Sequence, residues 1–123
     1  MKVKIFYPLR KSDREYLNSW MIKMTHGEAI PTKKDIEKDY KQLPIPDEFW
    51  KDKFNGNTDK DYILEEIFRI MNDDEDNPMS TSDMQKWIVE NEVTHTSMSV
   101  ADIVILDDAT YICASIGWKE IKK

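Results

Sequence analysis

The strongest constraint on the fold lies near the C-terminus, where two β-branched runs, Val100 to Leu106 and Thr110 to Ile116, are separated only by Asp107-Asp108-Ala109. Runs of this composition favour strands, and so short a polar break between them points to a hairpin. Side chains alternate along a strand, so Ile103 and Ile105 should face one side of the sheet and Val104 and Leu106 the other. The opening Lys2-Val3-Lys4-Ile5-Phe6-Tyr7 also reads as a strand, with Val3, Ile5 and Tyr7 on the buried face and Pro8 ending it. Gly117 breaks the second hairpin strand, after which Trp118 to Ile121 resumes an extended path.

The middle of the chain has helical rather than strand periodicity. Ser12 with Glu15 forms a capping box for a helix over 13–25, which carries Tyr16, Leu17, Trp20, Met21 and Met24 on one face and is stopped by Gly27. Thr32 with Asp35 caps a short helix through about Lys41; Pro44 and Pro46 then break the chain, and a further turn displays Phe49, Trp50 and Phe54. Thr58 is placed to cap an apolar helix over 59–72, and Ser80 with Asp83 to cap another ending about Glu90. Strand, helices and hairpin in that order predict a single α+β domain over 1–123. Its small antiparallel sheet, the N-terminal strand plus the C-terminal hairpin, packs with about four helices. A chain of 123 residues with four Trp, five Tyr, four Phe and seven Met can fill one such core.

Several functional classes fall away on composition. No apolar run approaches the length of a membrane span, and the first residues lack the apolar core and cleavage site of a signal peptide. A lone cysteine, Cys113, permits no internal disulfide and fits a reducing cytoplasm. The net charge of −6 opposes direct nucleic-acid binding, and it is unevenly spread. Residues 1–60 hold 13 Lys/Arg against 10 Asp/Glu, whereas residues 61–123 hold 5 against 14, a net of +3 beside a net of −9. Crowding like charge works against compaction, so such a concentration reads either as solubility charge or as an acidic face for a basic partner.

Residues able to carry chemistry are few. Cys113 lies inside a strand run, where a cysteine is a small inert hydrophobe. His95, in Thr94-His95-Thr96-Ser97, has Ser97 and Ser99 nearby, but hydroxyl-rich stretches before a strand more commonly cap turns. His26 suits a helix C-terminus. The two histidines and one cysteine lack the paired spacing of a zinc site. Asp73, Glu75 and Asn77 alternate like the start of a calcium loop but have Pro78 where the EF-hand glycine belongs and Met84 where its bidentate glutamate belongs. The lysines at 33, 34, 38 and 41 are interleaved with Asp35, Glu37 and Asp39, which reads as a self-neutralising, solvated face. No cofactor, no metal and no catalytic residue is expected.

The segment His95-Thr96-Ser97-Met98-Ser99-Val100-Ala101-Asp102-Ile103-Val104, followed by Tyr111-Ile112-Cys113 and Ser115-Ile116-Gly117-Trp118-Lys119-Glu120-Ile121, resembles the signature of YodL-like domains. Many members of that family have Gly or Ser at the place of Ala101. Physically the motif looks architectural: Ser99 and Asp102 can fix the turn entering the hairpin by side-chain to backbone bonds, and Gly117 lets Trp118 fold onto the sheet. The resemblance implies a small protein of phages, plasmids or conjugative elements of Gram-positive bacteria, where such genes accompany anti-restriction and anti-defence functions. It implies a non-enzymatic inhibitor of a host defence nuclease, either an anti-CRISPR protein acting on a Cas9-type effector or an anti-restriction protein, working in the cytoplasm of a bacterial host.

The expected partner is a nucleic-acid-handling protein with a basic surface, with neither nucleic acid nor membrane bound directly. Carboxylates would occupy its basic channel: Asp73, Asp74, Glu75 and Asp76 in the loop, with Glu65, Glu66, Glu90 and Glu92 on the flanking helices. Charge chiefly supplies on-rate and specificity, so apolar anchors are needed as well, and Trp50, Phe54 and Trp20 are the candidates. An alternative is a structural or interaction module of conjugation or cell-shape machinery that uses the sheet surface. A third is an enzyme acting through His95 or Cys113.

Overall fold

Five antiparallel strands form one sheet in the order β2-β1-β3-β4-β5 in the computed structural model, which describes residues 1–10, 19–27 and 29–122. The strands are β1 (Val3–Pro8), β2 (Tyr40–Gln42), β3 (Ile103–Leu106), β4 (Ala109–Cys113) and β5 (Trp118–Ile121). The expected hairpin is β3–β4, paired Ile103 to Ile112 and Leu106 to Ala109 across a two-residue turn. Asp107 takes a left-handed φ of 52° in that turn, which a short polar side chain tolerates. Its Oδ1 accepts the Lys2 backbone N–H at 2.9 Å, which ties the turn to the start of β1. β1 lies against β3 with Val3 opposite Leu106. The extended path after Gly117 is a full edge strand, paired Cys113 to Trp118 and Thr110 to Ile121.

Among the described residues five helices flank the sheet: α1 (Ser19–Thr25), α2 (Lys33–Asp39), α3 (Asp47–Trp50), α4 (Lys60–Met71) and α5 (Ser82–Glu90). Strand alternation divides them between two faces. Val3, Ile5 and Tyr7 of β1, Val104 and Leu106 of β3 and Tyr111 of β4 pack in one core cluster with Trp50, Ile63, Leu64, Ile67, Met71 and Ile88 from α3, α4 and α5. Ile103 and Ile112 pack on the opposite face with Trp20 of α1 and Ile36 of α2. The sheet is thus covered on both sides, and both of its apolar faces are used.

Three local expectations are corrected. The helix begun at Thr32 has its capping box, since Asp35 N donates to Thr32 Oγ1 and Thr32 N donates to Asp35 Oδ2. It ends at Asp39, however, and Tyr40–Gln42 becomes β2, because these residues gain strand pairing with the end of β1, Tyr40 opposite Pro8. The cap of α4 is Asp59 rather than Thr58, with its carboxylate accepting from Asp61 N, and that of α5 is Thr81 rather than Ser80, accepting from Met84 N. The Ser12–Glu15 capping box lies outside the described residues, within which α1 begins at Ser19.

Candidate functional site

A densely connected polar group is the segment 94–102, which leads from α5 into β3. Asp102 is completely buried. Both of its carboxylate oxygens face His95 Nε2, at 3.0 and 2.9 Å, and Oδ2 also accepts the Ser99 backbone N–H at 2.7 Å. Burial pushes the Asp102 carboxyl up to about 6, with His95 and the Ser99 N–H pulling the other way. The other ring nitrogen of His95, Nδ1, lies 3.1 Å from Thr94 Oγ1, whose hydroxyl is within 3.0 Å of the Pro8 carbonyl. The Tyr7 ring packs against the imidazole at 4.7 Å, and its hydroxyl donates to the Thr96 carbonyl. Asn77 donates to the same carbonyl and to that of Met71, while Gln85 donates to Thr96 Oγ1. Ala101 is held at a φ of +81° with its N–H on the Cys113 carbonyl and its own carbonyl on the buried Tyr40 hydroxyl at 2.7 Å.

This network joins β1, β2, β4, α4 and α5 to one loop, and its chemistry is that of a fastener. The Asp102 side chain fixes the turn into β3 as the sequence suggests, although the Ser99 hydroxyl, expected to share that work, is buried without a partner. Both nitrogens of His95 face neighbours inside the fold, so the ring is positioned by structure on both sides. The Cys113 thiol is buried, and burial, followed by the charges of Asp102 and Glu65, pushes it up to about 12, away from nucleophilic character. Among the described residues no cluster of three His, Cys, Asp or Glu side chains could hold a metal ion. Two of the three alternating side chains of the acidic loop already have backbone partners: Asp73 Oδ1 accepts from Glu75 N and Asp76 N, and Asn77 Oδ1 accepts from Met79 N, while Glu75 is exposed.

The acidic candidates are brought together only in part. Glu66 and Asp76 converge on Arg69, at 3.1 and 3.6 Å, and the Glu66 carboxylate, the larger influence, raises the affinity of that guanidinium for its proton. Asp74, Glu75 and Asp76 are exposed at the tip of the loop, and Asp73 is half-buried beneath them as a turn former. Glu65 is exposed on a different side of α4, where it borders a hollow shared with Ser115, Gly117 and Trp118. Glu90 and Glu92 are exposed at the far end of α5, where the Glu92 carbonyl accepts the Arg10 N–H.

The expected anchors are not on the surface. Trp50 is 2% exposed and Phe54 8%, their rings stacked at 6.1 Å in the core. Trp20 is buried with its indole N–H donated to Asp39 Oδ2. The apolar period of so short a segment does not say which side of it meets the sheet, and these aromatics meet it. Two exposed apolar residues that sequence reasoning missed adjoin the acidic groups instead: Val89, 76% exposed beside Glu90, and Ile116, 94% exposed in the turn next to the Glu65 hollow. Val89 is legible in hindsight as the apolar residue on the polar side of α5, whereas Ile116 continued a strand-like run.

No family model matches the chain, and no solved structure matches it. An uncharacterized protein of Acanthamoeba polyphaga mimivirus is 51% identical over 59 residues, which is 48% of this chain and 53% of that protein. The chain therefore spans about half the length of this relative.

Proposed function

We propose that the protein is a non-enzymatic binding module whose acidic surface docks on a basic, nucleic-acid-handling protein. The carrying observation is the set of exposed carboxylates at Glu65, Asp74, Glu75, Asp76, Glu90 and Glu92, from which Arg69 pairs only with Asp76. Uncompensated charge of one sign steers association with the opposite sign, and Val89 and Ile116 supply exposed apolar contact beside it. In its specific form the partner is a host defence nuclease, a Cas9-type effector or a restriction enzyme. The protein then acts in a bacterial cytoplasm as the inhibitor carried by a mobile element. The YodL-like residues of the C-terminal segment support that setting. No helix among the described residues is long and apolar enough to cross a membrane.

The test is plasmid interference across several CRISPR and restriction systems, with the wild type and with a variant carrying Asp74→Asn, Glu75→Gln and Asp76→Asn. Asp73 is left in place because it holds the loop. The wild type should protect the plasmid in at least one system and the variant should not. Equal protection by both, or none by either, sinks the reading. An interaction module of conjugation or cell-shape machinery is the competing form, favoured by the open outer edge of β5. Its binding should be insensitive to the loop substitutions, and it should show no salt-dependent binding to basic proteins.

A further inference from the structure

A second surface of opposite polarity lies on the other side of the molecule. Between the start of α2 and the end of β5 is a cleft of about 560 Å³ with an apolar floor of Ile30, Pro31 and Ile121 and a rim of Lys33, Lys34 and Lys122. Glu120 carries the only negative charge among the described residues lining it. The sequence suggested that the lysines of α2 are neutralised by the acids between them, but two of those three acids, all but exposed Glu37, are engaged elsewhere. Asp35 is taken up by the Thr32 cap and buried Asp39 by the Trp20 indole. Among the described residues no carboxylate lies within ion-pair distance of Lys33, Lys34 or Lys122. Lysines in a first helical turn oppose the helix dipole, so this pair does not serve the stability of α2 itself.

The cleft opens along an unpaired strand. β5 is the last strand of the sheet and pairs only with β4, which leaves its outer backbone groups without a strand partner among the described residues. Edges are blunted by shortness, charged side chains, proline or a bulge; β5 has neither proline nor bulge, and its four residues with Lys119 and Glu120 make it a short, charged edge that favours a partner of matching charge over self-association. At the opposite edge β2 is only three residues long and is followed by Pro44 and Pro46.

We infer that this cleft takes an extended acidic peptide of a partner protein, which pairs with β5 as a sixth strand. Its backbone would satisfy the open edge, an apolar side chain would rest on Ile30, Pro31 and Ile121, and carboxylates at alternate positions would meet Lys33, Lys34 and Lys122. Backbone pairing gives the affinity of such complexes, and alternate side chains give the specificity. The surface is separate from the acidic face and does not depend on it.

A labelled peptide, acetyl-Glu-Val-Glu-Ile-Glu-Val-Glu-amide, titrated into the full 15N-labelled chain provides the test. Shifts should concentrate in the backbone amides of 118–122, Ile30 and 32–34. The variant Lys33→Glu, Lys34→Glu, Lys122→Glu, first checked for an unchanged melting curve, should bind roughly tenfold or more weakly, because three charge contacts become repulsive. The same peptide with lysine for glutamate should not bind, and one N-methylated at alternate residues should lose binding because it cannot pair as a strand. The variant at Asp74, Glu75 and Asp76 should bind like wild type. The inference is overturned by shifts elsewhere, or by equal binding of the triple-lysine variant, the lysine peptide or the N-methylated peptide. It is equally overturned if the lysines govern attachment to phosphatidylserine vesicles, or dimerisation of the chain in sedimentation, in place of peptide binding.

Discussion

Asp102 and Ala101 show how much a single residue decides here. A carboxyl that is buried completely and titrates near 6, above its ordinary 3.8, binds its proton more tightly in the folded chain than in the unfolded one. The stability it contributes is therefore full below about pH 4 and is lost as pH rises through about 6. Asp102→Asn removes that dependence, so the stability deficit of this variant relative to wild type should shrink between pH 4 and pH 7 in urea titrations; a constant or growing deficit contradicts the assignment. His95→Ala leaves the buried carboxyl without its main partner and should cost about 3 kcal/mol at neutral pH in the same measurement. At Ala101 the left-handed backbone and complete burial leave no room for a branched side chain. Ala101→Val should lose at least about 2 kcal/mol, while Ala101→Gly, whose backbone is free in that region, should fold normally.

Among the elements, legibility followed how local the deciding force is. The Thr32–Asp35 capping box needs only residues three apart, and it is present as the sequence predicts. Thr32→Ala should lower stability by about 1 kcal/mol by thermal melting and fray α2 beside the basic cleft. The alternation of β3 was equally readable, with Ile103 and Val104 in separate core clusters. The end of α2 was not, because Tyr40 leaves the helix to pair with Pro8 and donate its hydroxyl to the Ala101 carbonyl, partners 32 and 61 residues away in the chain. The same limit applied to Trp50 and Phe54: an aromatic pair in a proline-broken segment is equally compatible with a surface anchor and with core filling. The apolar surface of the sheet took them in.

In the whole molecule the chain termini and the middle are stitched together by one sheet. β1 comes first in sequence but lies between β2 and β3, so it holds the edge strand and the hairpin side together. Deleting residues 1–8 should abolish the folded state, seen as loss of dispersion in an amide spectrum, whereas removal of an ordinary terminus is tolerated. Periodicity, turn chemistry and composition act over a few residues, so the α+β class, the hairpin, the helix that became α4 and the concentration of acid in the second half are all legible in the chain. The sequence also marked Asp102 as a turn former. Packing at long range set the rest: His95 closes on Asp102, the candidate aromatic anchors are core, and two of the acids between the α2 lysines are committed elsewhere, leaving a basic cleft beside an open strand. These outcomes depend on which distant surfaces meet, and burial and charge pairing acquire their sign only when they do.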